Sequence, residues 1–312
     1  MAEPFLHQPH DRLIRYTYTR KQSALGILQG YLPESMLPGM DWATLKVMPG
    51  SFVDASLKGL HSDILYQIQF RGSPLYLHFL FEHQSKPDPW MGLRIMGYKR
   101  AIWQQILGEA PKASEVPPIY PLVVYSGKAA WNVPLNWSKK IAFPESAAPE
   151  LVAMEMQFGY QLINLSHLSA NEIRGDLAGR LTLSLMKAAA EDQVEQWLRN
   201  AGPLLKSLQQ SEVTGMFEAL LRYLLAVDSS MTREHVFIAL EDSAPPEFIQ
   251  QAMSIADQLL AEGRQEGLLY GKIQTLQELL GVPVSSENVL STKSEEELRS
   301  LAKELQARIA KG

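Results

Sequence analysis

Between Ser62 and Ser85 the sequence reads S-D-I-L-Y-Q-I-Q-F-R-G-S-P-L-Y-L-H-F-L-F-E-H-Q-S, and few folds accommodate such a stretch. Two runs of apolar, β-branched and aromatic residues, Ile64–Phe70 and Leu75–Phe81, flank Arg71-Gly72-Ser73-Pro74. That is the pattern of two antiparallel strands joined by a tight turn. Asp63 opens the first run and Glu82 closes the second. Strand side chains alternate between faces, so Glu82 and Gln84 project to one side; antiparallel pairing brings Asp63 beside them from 19 and 21 positions upstream. Two carboxylates and an amide oxygen converging in this way would form a hard-cation site, of the kind that holds Mg²⁺ with some of its water retained.

The segments on either side supply layers for such a sheet. Leu13, Ile14, Tyr16, Tyr18, Leu25, Ile27 and Leu28 predict a helix over 11–31 with Asp11 as N-cap, closed by Gly30 and Pro33. T-L-K-V within 41–53 predicts a first strand ended by Pro49-Gly50. Pro87 and Pro89 stop the sheet, and 90–107 is an amphipathic helix with Met91, Ile95, Tyr98, Ile102 and Ile106 at helical spacing. Arg94 and Tyr98, four apart, share a face of it. Leu122–Tyr125 is a short buried strand and 157–165 one more. The expected order is αβββαβ, an α/β fold with a mainly helical C-terminal region.

From Glu172 to Val227 the pattern is helical with a break at Gly202-Pro203, and Pro245-Pro246 marks another helix start. Gly263, Gly267 and Gly271 recur every four residues; on a helix they leave a face without side chains, where a second helix could approach closely, while the helical cost of glycine makes a flexible connector an equal reading. The tail, 285–311, predicts a charged amphipathic helix, docked or dimeric. The expected divisions are 1–165, 166–260 and 261–312, with homo-oligomerisation through the C-terminal helices.

Hydrophobic content of 46% and charged content of 20% argue for a folded globular chain and against wholesale disorder. The absence of cysteine excludes disulfides and thiolate metal sites. No apolar run reaches the roughly 18 residues that span a bilayer, and no basic-then-apolar leader opens the chain, so the expectation is no membrane and a cytoplasmic location. Net charge is −5, yet residues 1–140 carry fifteen Lys and Arg against ten Asp and Glu, leaving fourteen against twenty-four beyond. Only the first part could attract phosphate broadly.

Five motifs together carry a resemblance: H-D at His10-Asp11, G-S-F-V at Gly50–Val53, S-D-I-L-Y at Ser62–Tyr66, F-E-H-Q-S at Phe81–Ser85 and R-I-M-G-Y at Arg94–Tyr98. They resemble the Rpn family, the recombination-promoting nucleases also called YhgA-like putative transposases, within the PD-(D/E)xK nuclease superfamily. The likeness spans nearly the whole chain and is strongest from His10 to Trp137. It implies a restriction-endonuclease-like αβββαβ core and a Mg²⁺-dependent DNA endonuclease hydrolysing phosphodiester bonds in recombination or mobile DNA. Asp63 and Glu82 would hold the metal. Gln84 stands where the superfamily motif has lysine, so another group must supply the cation; of Lys86, Arg94 and Lys99, Arg94 is favoured because its helix follows the metal strand directly. The expected catalytic set is Asp63, Glu82, Gln84 and Arg94, with Arg12, Arg15, Lys86 and Lys99 as DNA contacts. The rival expectation is a non-catalytic DNA-binding or regulatory protein on a degenerate nuclease fold.

His78 and His83, five apart, point to opposite faces of one strand and cannot both ligate one ion; His83 opposes Glu82 and reads as a core or second-face contact, while His10 could approach from the first helix. H-E-x-x-H, G-x-x-x-x-G-K-[ST], G-x-G-x-x-G and G-x-S-x-G are absent, which removes support for zinc proteases, P-loop NTPases, dehydrogenases and serine hydrolases.

Overall fold

The computed structural model describes residues 9–49, 63–154, 157–210, 215–227, 233–241, 246–290 and 293–309; Gly50–Val53 and Ser62 of the motif reading lie outside them. The described chain divides into two compact units, His10–Trp197 and a helical unit from Leu198 onward.

In the first unit the chain runs α1 (Pro9–Tyr18), α2 (Lys21–Tyr31), β1 (Met40–Val47), β2 (Asp63–Phe70), β3 (Ser73–Glu82), α3 (Met91–Glu109), β4 (Ile119–Tyr125), α4 (Pro149–Met154), β5 (Gln161–Asn164) and α5 (Leu177–Ala190). The strands form one mixed sheet in the order β1-β2-β3-β4-β5. β1, β2 and β3 are antiparallel neighbours, and β4 and β5 join in parallel. The hairpin turn is tighter than the four-residue separator suggests: only Arg71 (φ 51°) and Gly72 (φ 83°) leave the ladder, and Ser73 and Pro74 already pair with Phe70 and Gln69. Two successive positive φ values are the geometry whose twist matches paired strands, and glycine at the second position adopts it without strain.

The long apolar runs of β2, β3 and β4 are buried because both sheet faces are covered. On one face, Tyr18 of α1 meets Phe79 at 5.1 Å and its carbonyl accepts from the Tyr66 hydroxyl at 2.7 Å. On the other, Met91, Ile95, Tyr98 and Ile102 of α3 pack with Leu65, Tyr76, Leu80, Ile119 and Val123. Those side chains are the stripe that the helical spacing picks out.

Two helical expectations are corrected. The predicted helix over 11–31 is two helices, because the Tyr18 carbonyl is taken by Tyr66 and Arg20 turns to extended backbone (φ −78°, ψ 129°). Asp11 lies inside the first turn of α1 and is buried, so it is no N-cap. Conversely, α6 (Val194–Gln210) runs straight through Gly202-Pro203. Its buried stripe Val194, Leu198, Ala201 and Leu205 outweighs the one hydrogen bond that proline removes.

The helical unit continues with α7 (Met216–Val227), α8 (Arg233–Glu241), the 34-residue α9 (Pro246–Leu279), α10 (Glu287–Leu290) and α11 (Glu295–Ile309). α10 and α11 close over the end of α9 through Ile273, Leu290, Leu298, Ala302 and Leu305. No described helix is long and apolar enough to cross a membrane.

Candidate active site

The site lies where β2 begins and β3 ends. Asp63 pairs with Leu80, so its side chain shares the sheet face of His78, Leu80 and Glu82, the face that α3 covers. Glu82 is therefore diagonal to Asp63. Both carboxylates are buried, Glu82 to 2% exposure. Burying charge among apolar strands is costly unless something compensates it.

For Glu82 the compensation is visible. Arg94 Nη1 donates to Glu82 Oε2 at 2.6 Å, and the Gln84 backbone N–H donates to Oε1 at 3.2 Å. Burial alone would lower the Arg94 pKa, but the neighbouring Tyr98, Glu82 and Asp63 outweigh it and hold the guanidinium above its ordinary value.

For Asp63 it is electrostatic only: its charge acts on Arg94 and on the Tyr98 hydroxyl, but Oδ2 accepts no hydrogen bond. Six buried side-chain polar atoms among the described residues have no hydrogen-bond partner, and five belong to this cluster: Asp63 Oδ2, His78 Nδ1 and Nε2, Arg94 Nε and the Tyr98 hydroxyl. Since buried polar atoms in folded proteins are nearly always bonded, five orphans in one place mark a site built for something besides stability. Burial and the charge of Asp63, opposed by Arg94, push the Tyr98 hydroxyl well above the usual tyrosine range, so it stays a proton donor facing both.

The remaining expected residues are placed as follows. β3 ends at Glu82, so the alternation argument stops two residues short of Gln84, which is exposed in the following bend. That bend is held by the Tyr125 hydroxyl, which donates to the Ala129 carbonyl at 2.8 Å and lies 3.3 Å from the Ser85 carbonyl, and by Gly127, where any Cβ would strike the Gln84 carbonyl. Lys86 is exposed in the same bend. Lys99 sits between the rings of Trp103 and Phe158 at 5.5 and 5.6 Å, and burial lowers its pKa. Arg12 and Arg15 are half-buried on α1, with Arg15 Nη1 donating to the Asp63 carbonyl at 3.2 Å. The structure thus brings Asp63, Glu82, Arg94 and Arg15 together and leaves Gln84, Lys86 and Lys99 at the margin.

His83, expected against the core or the second face, is exposed beyond the strand end and stacks on His10 at 4.6 Å. Burial first, and His83 second, lower the His10 pKa to about 4. The residue that sequence reasoning passed over is His78, whose alternation parity matches Glu82. Helical spacing places Tyr98 in the buried stripe of α3 and on the face of Arg94, without a role of its own.

Among the described residues no three His, Asp or Glu side chains sit close enough to hold a metal ion alone. Mg²⁺ does not require three, because it is commonly held by one or two carboxylates with water and substrate phosphate completing its shell. Asp63, with a buried oxygen lacking any partner, and Glu82 on the same face fit that donor set.

Residues 8–215 match the family model described as "Putative transposase, YhgA-like". The chain is 32% identical to the recombination-promoting nuclease RpnC of Escherichia coli K12 over 166 residues, about half of each chain (53%). It is 27% identical to RpnA, a recombination-promoting nuclease of the same strain, over 93% of this chain and 96% of that one. A third relative there, 26% identical over 86% of both chains, is named the inactive recombination-promoting nuclease-like protein RpnE. No solved structure matches.

Proposed function

This chain belongs to the YhgA-like putative transposase family, and from that premise we propose that it is a divalent-metal-dependent DNA endonuclease acting in recombination or on mobile DNA, built on a restriction-endonuclease-like core. The observation that carries the reading is the pair of buried carboxylates, Asp63 and Glu82, on one sheet face, with an unpartnered oxygen on the first and an arginine on the second.

Asp63 and Glu82 would hold the ion, which supplies Lewis-acid polarisation of the scissile phosphate and lowers the pKa of an attacking water. Arg94 stands where its charge can be shared between Glu82 and a phosphate oxygen, the part that lysine plays in the usual motif. Tyr98, kept protonated, can donate to the same oxygens. Gln84, exposed at the rim, can orient water or phosphate through its amide. The basic first half of the chain, with Arg12, Arg15 and Lys86, would meet the DNA backbone, whereas Lys99 is engaged between Trp103 and Phe158. Gly263, Gly267 and Gly271, with no described atom near where a Cβ would stand, leave room for the α9 of a second copy.

Incubating the purified chain with plasmid, with Mg²⁺ or with chelator, tests the proposal. Nicking that requires the metal and disappears in Asp63→Ala and Glu82→Ala, both still folded, is expected; full activity in either variant overturns the site. A second reading, a DNA-binding protein without catalysis, is favoured by Arg94 already occupying Glu82 and by the name of the inactive relative. It predicts DNA binding with no cleavage at any metal concentration.

A further inference from the structure

His78 lies mid-strand in β3 and is 0% exposed, yet neither ring nitrogen has a hydrogen-bond partner. Its Nε2 is 3.9 Å from Asp63 Oδ2, itself unpartnered, and its ring rests against Tyr98 at 4.8 Å. An imidazole carries at least one N–H in either charge state, so burying one without an acceptor is costly where phenylalanine would fill the same space. The gap between nitrogen and oxygen is only about 1 Å longer than a hydrogen bond. Two orphaned atoms of complementary chemistry therefore face each other, one of them on the carboxylate assigned to the metal.

We infer that His78 is a positioning residue: its Nε2–H holds the Asp63 carboxylate and thereby sets how tightly the site binds a divalent cation. The inference rests on the metal-site reading above. Carboxylate ligands depend on such supporting bonds, and losing one typically weakens metal binding by about 10- to 100-fold. Direct ligation by His78 is the poorer explanation, because a hard cation in this class of site takes oxygen donors.

The test uses the full chain and Mn²⁺ as probe, with binding followed by calorimetry and electron paramagnetic resonance in the parent, His78→Phe, His78→Gln and Asp63→Asn. His78→Phe keeps the ring against Tyr98 and removes both nitrogens. It should bind Mn²⁺ about 10- to 100-fold more weakly, with an unchanged or raised thermal midpoint and unchanged metal-free DNA affinity. His78→Gln, whose amide N–H reaches towards the place of Nε2, should recover most of the loss. A purely structural histidine would lower the midpoint on replacement and leave Mn²⁺ affinity alone. Parental Mn²⁺ affinity in His78→Phe, or no recovery in a folded His78→Gln, overturns the inference. If His78→Phe fails to fold, His78→Asn, too short to reach Asp63, replaces it under the same criteria. Absence of Mn²⁺ binding in the parent, or binding that survives Asp63→Asn, overturns the metal-site reading itself.

Discussion

Arg94 Nη1 donates to Glu82 Oε2 at 2.6 Å, tying the first turn of α3 to the last residue of β3 across the bend between them. The bond joins two otherwise separable demands. It compensates a carboxylate that is only 2% exposed, and it stations a cation at the candidate reaction centre. An incoming divalent ion would compete for the same oxygen, so Arg94 is poised to be displaced towards phosphate.

Arg94→Ala should thus lose stability and chemistry together. Removing one partner of a buried pair leaves the other charge stranded, and the lower end of a roughly 3–5 kcal/mol range is expected because Arg94 is partly exposed. Cleavage should fall by about 100-fold or more, and DNA affinity by much less. Denaturant unfolding, single-turnover cleavage and filter binding separate the three. Arg94→Lys, which keeps charge but not the fork, should lie between.

Gln84→Ala should lower metal-dependent cleavage, whereas Gln84→Lys should keep or raise it. Because Gln84 is exposed past the strand end, lysine meets no steric barrier there and restores the cation of the usual motif. Cleavage measured across a Mg²⁺ titration is the check. Activity lost together with a raised Mg²⁺ requirement would make Gln84 a ligand, and parental cleavage in both variants would leave it no role.

DNA affinity should fall steeply with salt, since each neutralised phosphate releases counterions. Lys86→Ala, at an exposed lysine, should reduce the slope of log affinity against log salt by about one. Lys99→Ala should barely change that slope and instead lower the thermal midpoint, because its stem and charge are spent between Trp103 and Phe158. Equal slopes for the two variants would contradict this division.

Stability should decline in mild acid through His10. Its folded pKa, about 4, lies below the ordinary 6.5, so the unfolded chain binds the proton more readily. The contribution is complete above pH 6.5, shrinks as pH falls from there to about 4, and is flat below, amounting to at most about 3 kcal/mol. His10→Phe, which keeps a ring against His83, should flatten that part of a curve of unfolding free energy against pH.

What the sequence alone determined is whatever follows from local periodicity. The hairpin, the buried face of α3, the order of the strands, and the common face of Asp63 and Glu82 all come from alternation at two and repetition at 3.6, which covalent geometry imposes on any chain. Tertiary structure decided what depends on residues distant in sequence. The Tyr66 hydroxyl takes the Tyr18 carbonyl and splits a continuous helical pattern, while the buried stripe of α6 carries a helix through Pro203. β3 stops at Glu82 because Tyr125 and Gly127 draw the following residues into a bend, and this removes Gln84 from the alternation that placed it beside Glu82. Arg94 reaches the carboxylate because it stands in the first turn of α3, over that face of the sheet, whereas Lys99 further along the helix lies between Trp103 and Phe158 and Lys86 is exposed in the bend. His78 had the right parity all along, but a buried imidazole with no partner is a property of its surroundings, and periodicity alone carries no information about which groups fail to find one.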